Sequence, residues 1–125
     1  MVIEHRKYER FRDSLVVVCS IPDKSHLEGI TISEDISQGG IKLTAPESFP
    51  VEEIMRLDVN IYCDAVPISL RGKVVWLKEI KGGKLRKKEK RYQLGIEFIH
   101  ADSLSKERIL RHLSRIASKK ESGER

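Results

Sequence analysis

The chain has 125 residues, 39% of them hydrophobic and 34% charged, which indicates one soluble globular domain and excludes a disordered chain. No apolar run approaches the ~20 residues of a membrane-spanning helix, and residues 1–12 lack the apolar stretch of a secretory signal. We therefore expect a cytoplasmic protein with no membrane insertion. The net charge of +5 comes mainly from residues 78–91, which hold eight Lys or Arg and two Glu, so the basic balance is local.

Strand patterns fill the first half of the sequence. Residues 15–21 are an almost continuous apolar run rich in Val, which predicts a strand buried on both faces. In residues 27–34, Ile30 and Ile32 share one parity, the period-2 signal of another strand. The alternation resumes after a break at residues 37–40, where Ser and Gly indicate a turn.

Three more strands are predicted in the second half. Residues 57–61 alternate apolar and polar side chains, and residues 66–77 and 92–99 are also strand-like. A hairpin-type turn at residues 81–84, followed by a basic loop, joins the last two.

The pattern then changes from period 2 to the period of a helix. Ile109, Leu113 and Ile116 are spaced four and three residues apart, which predicts a helix over residues 103–118 with one apolar face. Asp102 or the following Ser can serve as its N-cap.

About six strands followed by one helix, with no βαβ alternation, predict a mostly β fold. We expect an antiparallel barrel or sandwich with a C-terminal α-helix packed on it.

Two arginines four residues apart precede the first strand, in the run Arg6-Lys7-Tyr8-Glu9-Arg10. Two guanidinium groups at this spacing can converge on one ligand, and arginine pairs bidentately with phosphate and with guanine O6 and N7. Taken alone, the pair is also consistent with a solvated, charged N-terminal segment.

A second motif, Asp35-Ile36-Ser37-Gln38-Gly39-Gly40, lies between two predicted strands. Asp and Ser side chains hydrogen-bond local backbone groups and Gly permits positive φ, so an ordinary turn is one reading. In the other reading the carboxylate accepts hydrogen bonds from the N–H edge of a base, and the glycines let a ligand approach the backbone.

Taken together, these motifs resemble those of the PilZ domain family. The resemblance continues in the run Arg71-Gly72-Lys73-Val74-Val75-Trp76, in Tyr92-Gln93-Leu94-Gly95-Ile96-Glu97-Phe98, and in the terminal helix. It covers about residues 4–117. It implies a six-stranded antiparallel β-barrel with a C-terminal helix, and a stand-alone bacterial receptor or adaptor for the second messenger cyclic di-GMP.

The resemblance also implies the ligand contacts. Arg6 and Arg10 match the arginines that hold a phosphate and a guanine, Asp35 and Ser37 match residues that contact the other guanine region, and Gly40 matches the closing glycine. His5, Lys7 and Gly39 are further candidate contacts, and the residue at position 5 bears on whether one ligand or a stacked pair binds.

The resemblance predicts the domain organisation and output. We expect residues 1–12 to be a flexible ligand-binding segment, residues 13–118 a single barrel domain with its helix, and residues 119–125 a disordered tail. Ligand would order the arginine segment onto the barrel and alter contact with an unidentified protein partner, in processes such as motility or biofilm formation. We expect no enzymatic activity, cofactor or metal.

Two other functions are consistent with the sequence. A ligand-independent PilZ-like adaptor would act through protein contacts alone. The basic hairpin, residues 78–91, could bind single-stranded nucleic acid electrostatically. This second reading is weakened because Phe49, Trp76, Tyr92 and Phe98 are expected in the core rather than as stacking platforms. Cys19 and Cys63 stand at no metal or redox spacing and are expected to be reduced core residues.

Overall fold

The computed structural model describes residues 8–22, 24–61, 64–81 and 90–121, and of these the side chains of residues 24–27, 81, 120 and 121 are not described. His5, Arg6, Lys7, Cys63 and most of the basic hairpin lie outside the described residues. The elements, in chain order, are β1 Arg10–Arg12, β2 Val16–Ile21, β3 Lys24–Ser37, β4 Gly40–Ala45, β5 Ile54–Asn60, β6 Ile68–Lys81, β7 Lys90–His100 and α1 Ser103–Glu121.

The sheet closes into a barrel of six antiparallel strands. The strand order is β3-β2-β5-β6-β7-β4, and β4 pairs with β3 to complete the circle. Closure leaves no long unpaired edge among these strands. The expected six-stranded antiparallel barrel with a C-terminal helix is confirmed.

An additional short strand, β1, lies outside the circle. It pairs with the end of β3, with Arg10 opposite Ser37 and Arg12 opposite Asp35. Phe11, between the two arginines, is buried in the core. The last three residues of the expected flexible segment, residues 10–12, are therefore part of the sheet.

Strand β2 is not buried on both faces, as its apolar run predicted. Its side chains alternate, with Val17 and Cys19 fully buried and Val16 43% exposed. A strand of a closed barrel faces the core with one side only. The apolar run of β2 therefore reflects the β preference of Val as much as burial.

The parity of β3 is the reverse of what its apolar residues suggest. Thr31 and Ser33 face the core, whereas Ile30 and Ile32 are exposed. The Thr31 hydroxyl donates to the carbonyl of Val17 at 2.8 Å, so its polar atom is satisfied inside the barrel. Buried hydroxyls with partners of this kind carry little penalty.

Helix α1 packs through Ile109 and Leu113, which belong to the core cluster. Asp102 is its N-cap: the carboxylate Oδ1 accepts a hydrogen bond from the backbone N–H of Ser105 at 2.8 Å. The helix ends at Glu121 rather than at residue 118, so the first three residues of the expected tail, 119–121, are helical.

Candidate ligand-binding site

One row of residues crosses the outside of four barrel strands. Asp35 on β3 is paired in register with Lys42 on β4, Lys42 with Gly95 on β7, and Gly95 with Trp76 on β6. Adjacent strands lie about 4.8 Å apart, so the row spans roughly 14 Å. It places a carboxylate at one end and an indole at the other.

A bulge in β6 directs Trp76 outward. The register shifts between Val74 and Trp76, so Val74 is buried while Val75 and Trp76 are both exposed, Trp76 to 41%. A bulge inserts one unpaired residue and re-aims the side chains that follow it. The expectation that Trp76 belongs to the core was wrong for this reason.

The indole of Trp76 lies across Gly95. A Cβ added at Gly95 would stand 2.1 Å from Trp76 Nε1, so any larger residue would displace the ring. Gly95 therefore allows the ring of Trp76 to lie flat on the barrel surface.

At the other end of the row, Arg10 and Asp35 form an ion pair. Nε of Arg10 donates to Oδ1 of Asp35 at 2.6 Å, and Nη2 lies 2.5 Å from the same oxygen. Both of these contacts of Arg10 are with Oδ1 of Asp35. The pair is partly buried, with side-chain exposures of 24% and 19%, and brings together two residues 25 apart in sequence.

A second bulge permits this pairing. The β3–β4 register shifts between Ser33 and Asp35, so that Glu34 and Asp35, although consecutive, are both partly exposed. Glu34 accepts hydrogen bonds from Thr44 and Gln93, whereas Asp35 accepts from Arg10. Asp35 therefore lies on a strand rather than in the turn that follows it.

Ser37 organises that turn. Its buried Oγ accepts hydrogen bonds from the N–H groups of Gly39 at 3.2 Å and Gly40 at 3.1 Å, and also contacts the Gly40 carbonyl at 3.3 Å. A Cβ at Gly40 would stand 2.4 Å from the Ile96 carbonyl oxygen, so only glycine fits there. The interpretation of this motif as a turn is therefore correct for Ser37 and Gly40.

Tyr8 covers the same turn from outside. A Cβ at Gly39 would stand 2.7 Å from Cδ2 of the Tyr8 ring. The ring thus packs directly on the glycine backbone, next to the Arg10–Asp35 ion pair.

These residues line one groove with a volume of about 940 Å³. Its lining includes Arg10, Asp35 and the Ser37 turn, and also residues of α1, among them Lys106 and Leu110. A groove of this volume can hold a ligand larger than a single nucleobase.

The predicted site residues are only partly covered by the structure. Arg10, Asp35, Ser37, Gly39 and Gly40 all line the groove, whereas His5, Arg6 and Lys7 lie outside the described residues. Groove residues that motif reasoning missed include Tyr8, Lys42 and Trp76. Alternation could have placed Lys42 on the outer face, but the exposure of Trp76 depends on a bulge with no sequence signature.

The described residues also bear on metal binding and on membrane insertion. Across the described ranges, no three His, Cys, Asp or Glu side chains group in a way that could hold a metal ion. Within those same ranges, no helix has both the length and the apolarity needed to span a membrane.

The chain belongs to the PilZ domain family, whose model matches residues 4–115. The groove lies where the two sequence motifs meet, since Arg10 ends the first motif and Asp35 begins the second. A search of curated proteins finds no match.

Solved structures share the fold. The PilZ domain of YcgR from Escherichia coli, with c-di-GMP, superposes with a TM-score of 0.72 at 13% identity, over 96% of this chain and 98% of that one. The inhibitor of motility MotI/DgrA from Bacillus subtilis gives 0.69 at 24% identity, over 94% of this chain and 54% of that one. The K. pneumonia MrkH–c-di-GMP complex gives 0.74 at 18% identity, over 98% and 57%. The chain therefore spans about half the length of MotI and MrkH.

Proposed function

We propose that this chain is a cyclic di-GMP receptor that binds the dinucleotide in the groove and acts through binding rather than catalysis. The observation that carries the proposal is the row from Asp35 to Trp76, with the Arg10 guanidinium at one end and with Lys42 and Gly95 between. The c-di-GMP complexes of the PilZ-fold proteins YcgR and MrkH support the choice of ligand.

The row suits a guanine base. Arg10 contacts Oδ1 of Asp35, and Oδ2 can accept hydrogen bonds from the N1–H and N2–H groups of guanine. The guanidinium of Arg10 can pair with O6 and N7 or stack on the ring. The exposed face of Trp76, fixed over Gly95, provides a stacking surface for a base.

The Arg10–Asp35 ion pair prepares the site for the ligand. It holds a donor and an acceptor at one edge of the groove, so neither side chain has to be ordered on binding. Preorganisation of this kind raises affinity by reducing the entropy lost on association. Phosphate then completes the coordination of Arg10, because a guanidinium carries more donors than one carboxylate oxygen can accept.

In this proposal the ligand draws Arg6 onto the groove beside Arg10. Each newly fixed residue costs about 1–2 kcal/mol of conformational entropy. Charge-assisted hydrogen bonds of roughly 1.5–3 kcal/mol each offset that cost. The rearranged N-terminal segment changes the surface offered to a protein partner, which is the output.

The test is calorimetric titration of cyclic di-GMP into the wild type and into Arg6→Ala, Arg10→Ala and Asp35→Asn. We expect micromolar or tighter binding, weakened at least about tenfold in each variant. Arg12→Ala is the matched control, because Arg12 is exposed on the same strand but does not line the groove.

Two outcomes would contradict the proposal. Absence of binding by correctly folded wild type would favour an adaptor that acts through protein contacts alone. Equal affinity for cyclic di-AMP would contradict the guanine contacts, since adenine lacks the N1–H and N2–H donors that Asp35 would accept.

A further inference from the structure

The groove extends beyond the residues that hold the first guanine. Its lining also includes Lys106 and Leu110 of helix α1. These helix residues are not part of the row between Asp35 and Trp76.

Three cationic side chains line the groove, and two of them are already paired. Arg10 is paired with Asp35, and Nζ of Lys42 lies 3.7 Å from Oε1 of Glu34. Within the described ranges Lys106 has no acidic partner. Its positive charge is therefore not offset by a neighbouring carboxylate of those ranges.

The position of Lys106 is fixed by its neighbours on the helix. Oγ of Ser105 donates to the carbonyl of Ser69 at 3.2 Å, and Nη2 of Arg108 lies 3.0 Å from Oδ2 of Asp64. These contacts attach the first turns of α1 to the barrel. The lysine stem consequently starts from a defined point at the groove wall.

We propose that Lys106 binds the second phosphate of the cyclic dinucleotide, so that the bound ligand bridges the barrel and helix α1. This inference rests on the proposed function. The ligand carries two phosphates on opposite sides of one ring, and the arginines account for one of them. A lysine ammonium on a flexible stem suits the other as a point charge.

The remaining charged groups of the groove do not compete for this role. Glu97 is paired in register with Gly40, next to the Ser37 turn. His100 also lines the groove and offers a further hydrogen-bond donor to a phosphate.

The first test compares cyclic di-GMP affinity in the wild type, Lys106→Gln and Lys119→Gln. Lys119 is the matched control because it is an exposed lysine on the same helix that does not line the groove. We expect Lys106→Gln to bind roughly three- to tenfold more weakly and Lys119→Gln to bind as the wild type does. The affinity of Lys106→Gln should also fall less between about 50 and about 200 mM salt.

The second test is hydrogen exchange of the amides of helix α1 with and without cyclic di-GMP. The ligand should slow exchange in the wild type and much less in Lys106→Gln, while the two free proteins exchange alike. A purely structural role for Lys106 would change the free protein instead.

The outcomes separate the two proposals. Unchanged affinity and salt dependence in Lys106→Gln, with normal binding by the wild type, would overturn the helix bridge alone. An equal loss in Lys119→Gln would overturn it as well, because the effect would then be general to the charge of the helix. Absence of binding by the wild type would overturn the proposed function and this inference together.

Discussion

Asp13 and His112, which lie 99 residues apart in sequence, are in direct contact: His112 Nε2 stands 2.5 Å from Asp13 Oδ2. Asp13 follows β1 and His112 is on the buried side of α1, so the pair joins the helix to the segment that carries Arg10. The side chain of His112 is 11% exposed and that of Asp13 is 24% exposed, so their contact is largely shielded from water.

We expect His112→Ala to lower the free energy of unfolding by about 1–3 kcal/mol, because it leaves a partly buried carboxylate without its partner. Chemical denaturation measures the change. Arg111→Ala, at the exposed neighbouring position, should change stability by no more than about 0.5 kcal/mol. Equal effects from the two variants would show that the Asp13 contact contributes nothing.

Ser37→Ala tests whether the serine of the second motif shapes the turn. Its hydroxyl accepts from two backbone N–H groups, and removing it leaves both without an acceptor in a buried turn. We expect a loss of about 1–3 kcal/mol in the free energy of unfolding together with weaker ligand binding. If only affinity changed, Ser37 would act on the ligand directly, and if neither changed the turn would not depend on it.

Gly95→Ala tests the support of Trp76, the single tryptophan of the chain. The added Cβ would displace the indole, so we expect a changed emission spectrum, greater quenching by iodide and at least about tenfold weaker binding of cyclic di-GMP. Gly29→Ala is a matched control, because its Cβ would meet Phe49 at 3.3 Å and Gly29 does not line the groove. Unaltered emission in Gly95→Ala would contradict the packing of the indole on this glycine.

The stability of the domain should fall in acid partly through Glu34. Burial raises the pKa of this carboxyl, but the hydrogen bonds from Thr44 and Gln93 and the charge of Lys42 lower it by more, so the net shift is downward. A lowered pKa in the folded state means that Glu34 stabilises the fold above its unfolded pKa of about 4.3 and loses this effect as pH falls through the folded value.

Denaturation of Glu34→Gln at a series of pH values checks this expectation. The variant should be less stable than the wild type near neutral pH, and the difference should disappear in acid as Glu34 of the wild type becomes protonated. Glu28→Gln, at an exposed position, is the control and should follow the wild type. A constant difference across the acid range would mean that the charge of Glu34 is not involved.

Cys19 should not react with thiol reagents in the folded protein. It is fully buried and free, and burial raises the pKa of its thiol to about 12. Since the thiolate is the nucleophile, modification at neutral pH requires unfolding. In a Cys63→Ser background, labelling should therefore follow the unfolding transition, and rapid labelling of the native protein would contradict the burial of Cys19.

The sequence by itself determined the elements and their class. The alternation of Leu57 and Val59 and the helical spacing of Ile109 and Leu113 report local periodicity, which depends only on backbone geometry and burial. The two motifs, through their resemblance to the family, identified Arg10 and Asp35 as candidate ligand contacts. These features are local or compositional, so no tertiary information was needed to find them.

The tertiary structure decided which side chains reach the surface of the site. Trp76 is exposed because a bulge in β6 shifts its register, and Lys42 enters the site because it pairs with Asp35 across strands. Bulges and cross-strand neighbours depend on how distant segments pair, and a one-residue shift reverses the face on which each side chain lies. The contact of Asp13 with His112 is of the same kind, since only closure of the barrel and docking of the helix bring them together.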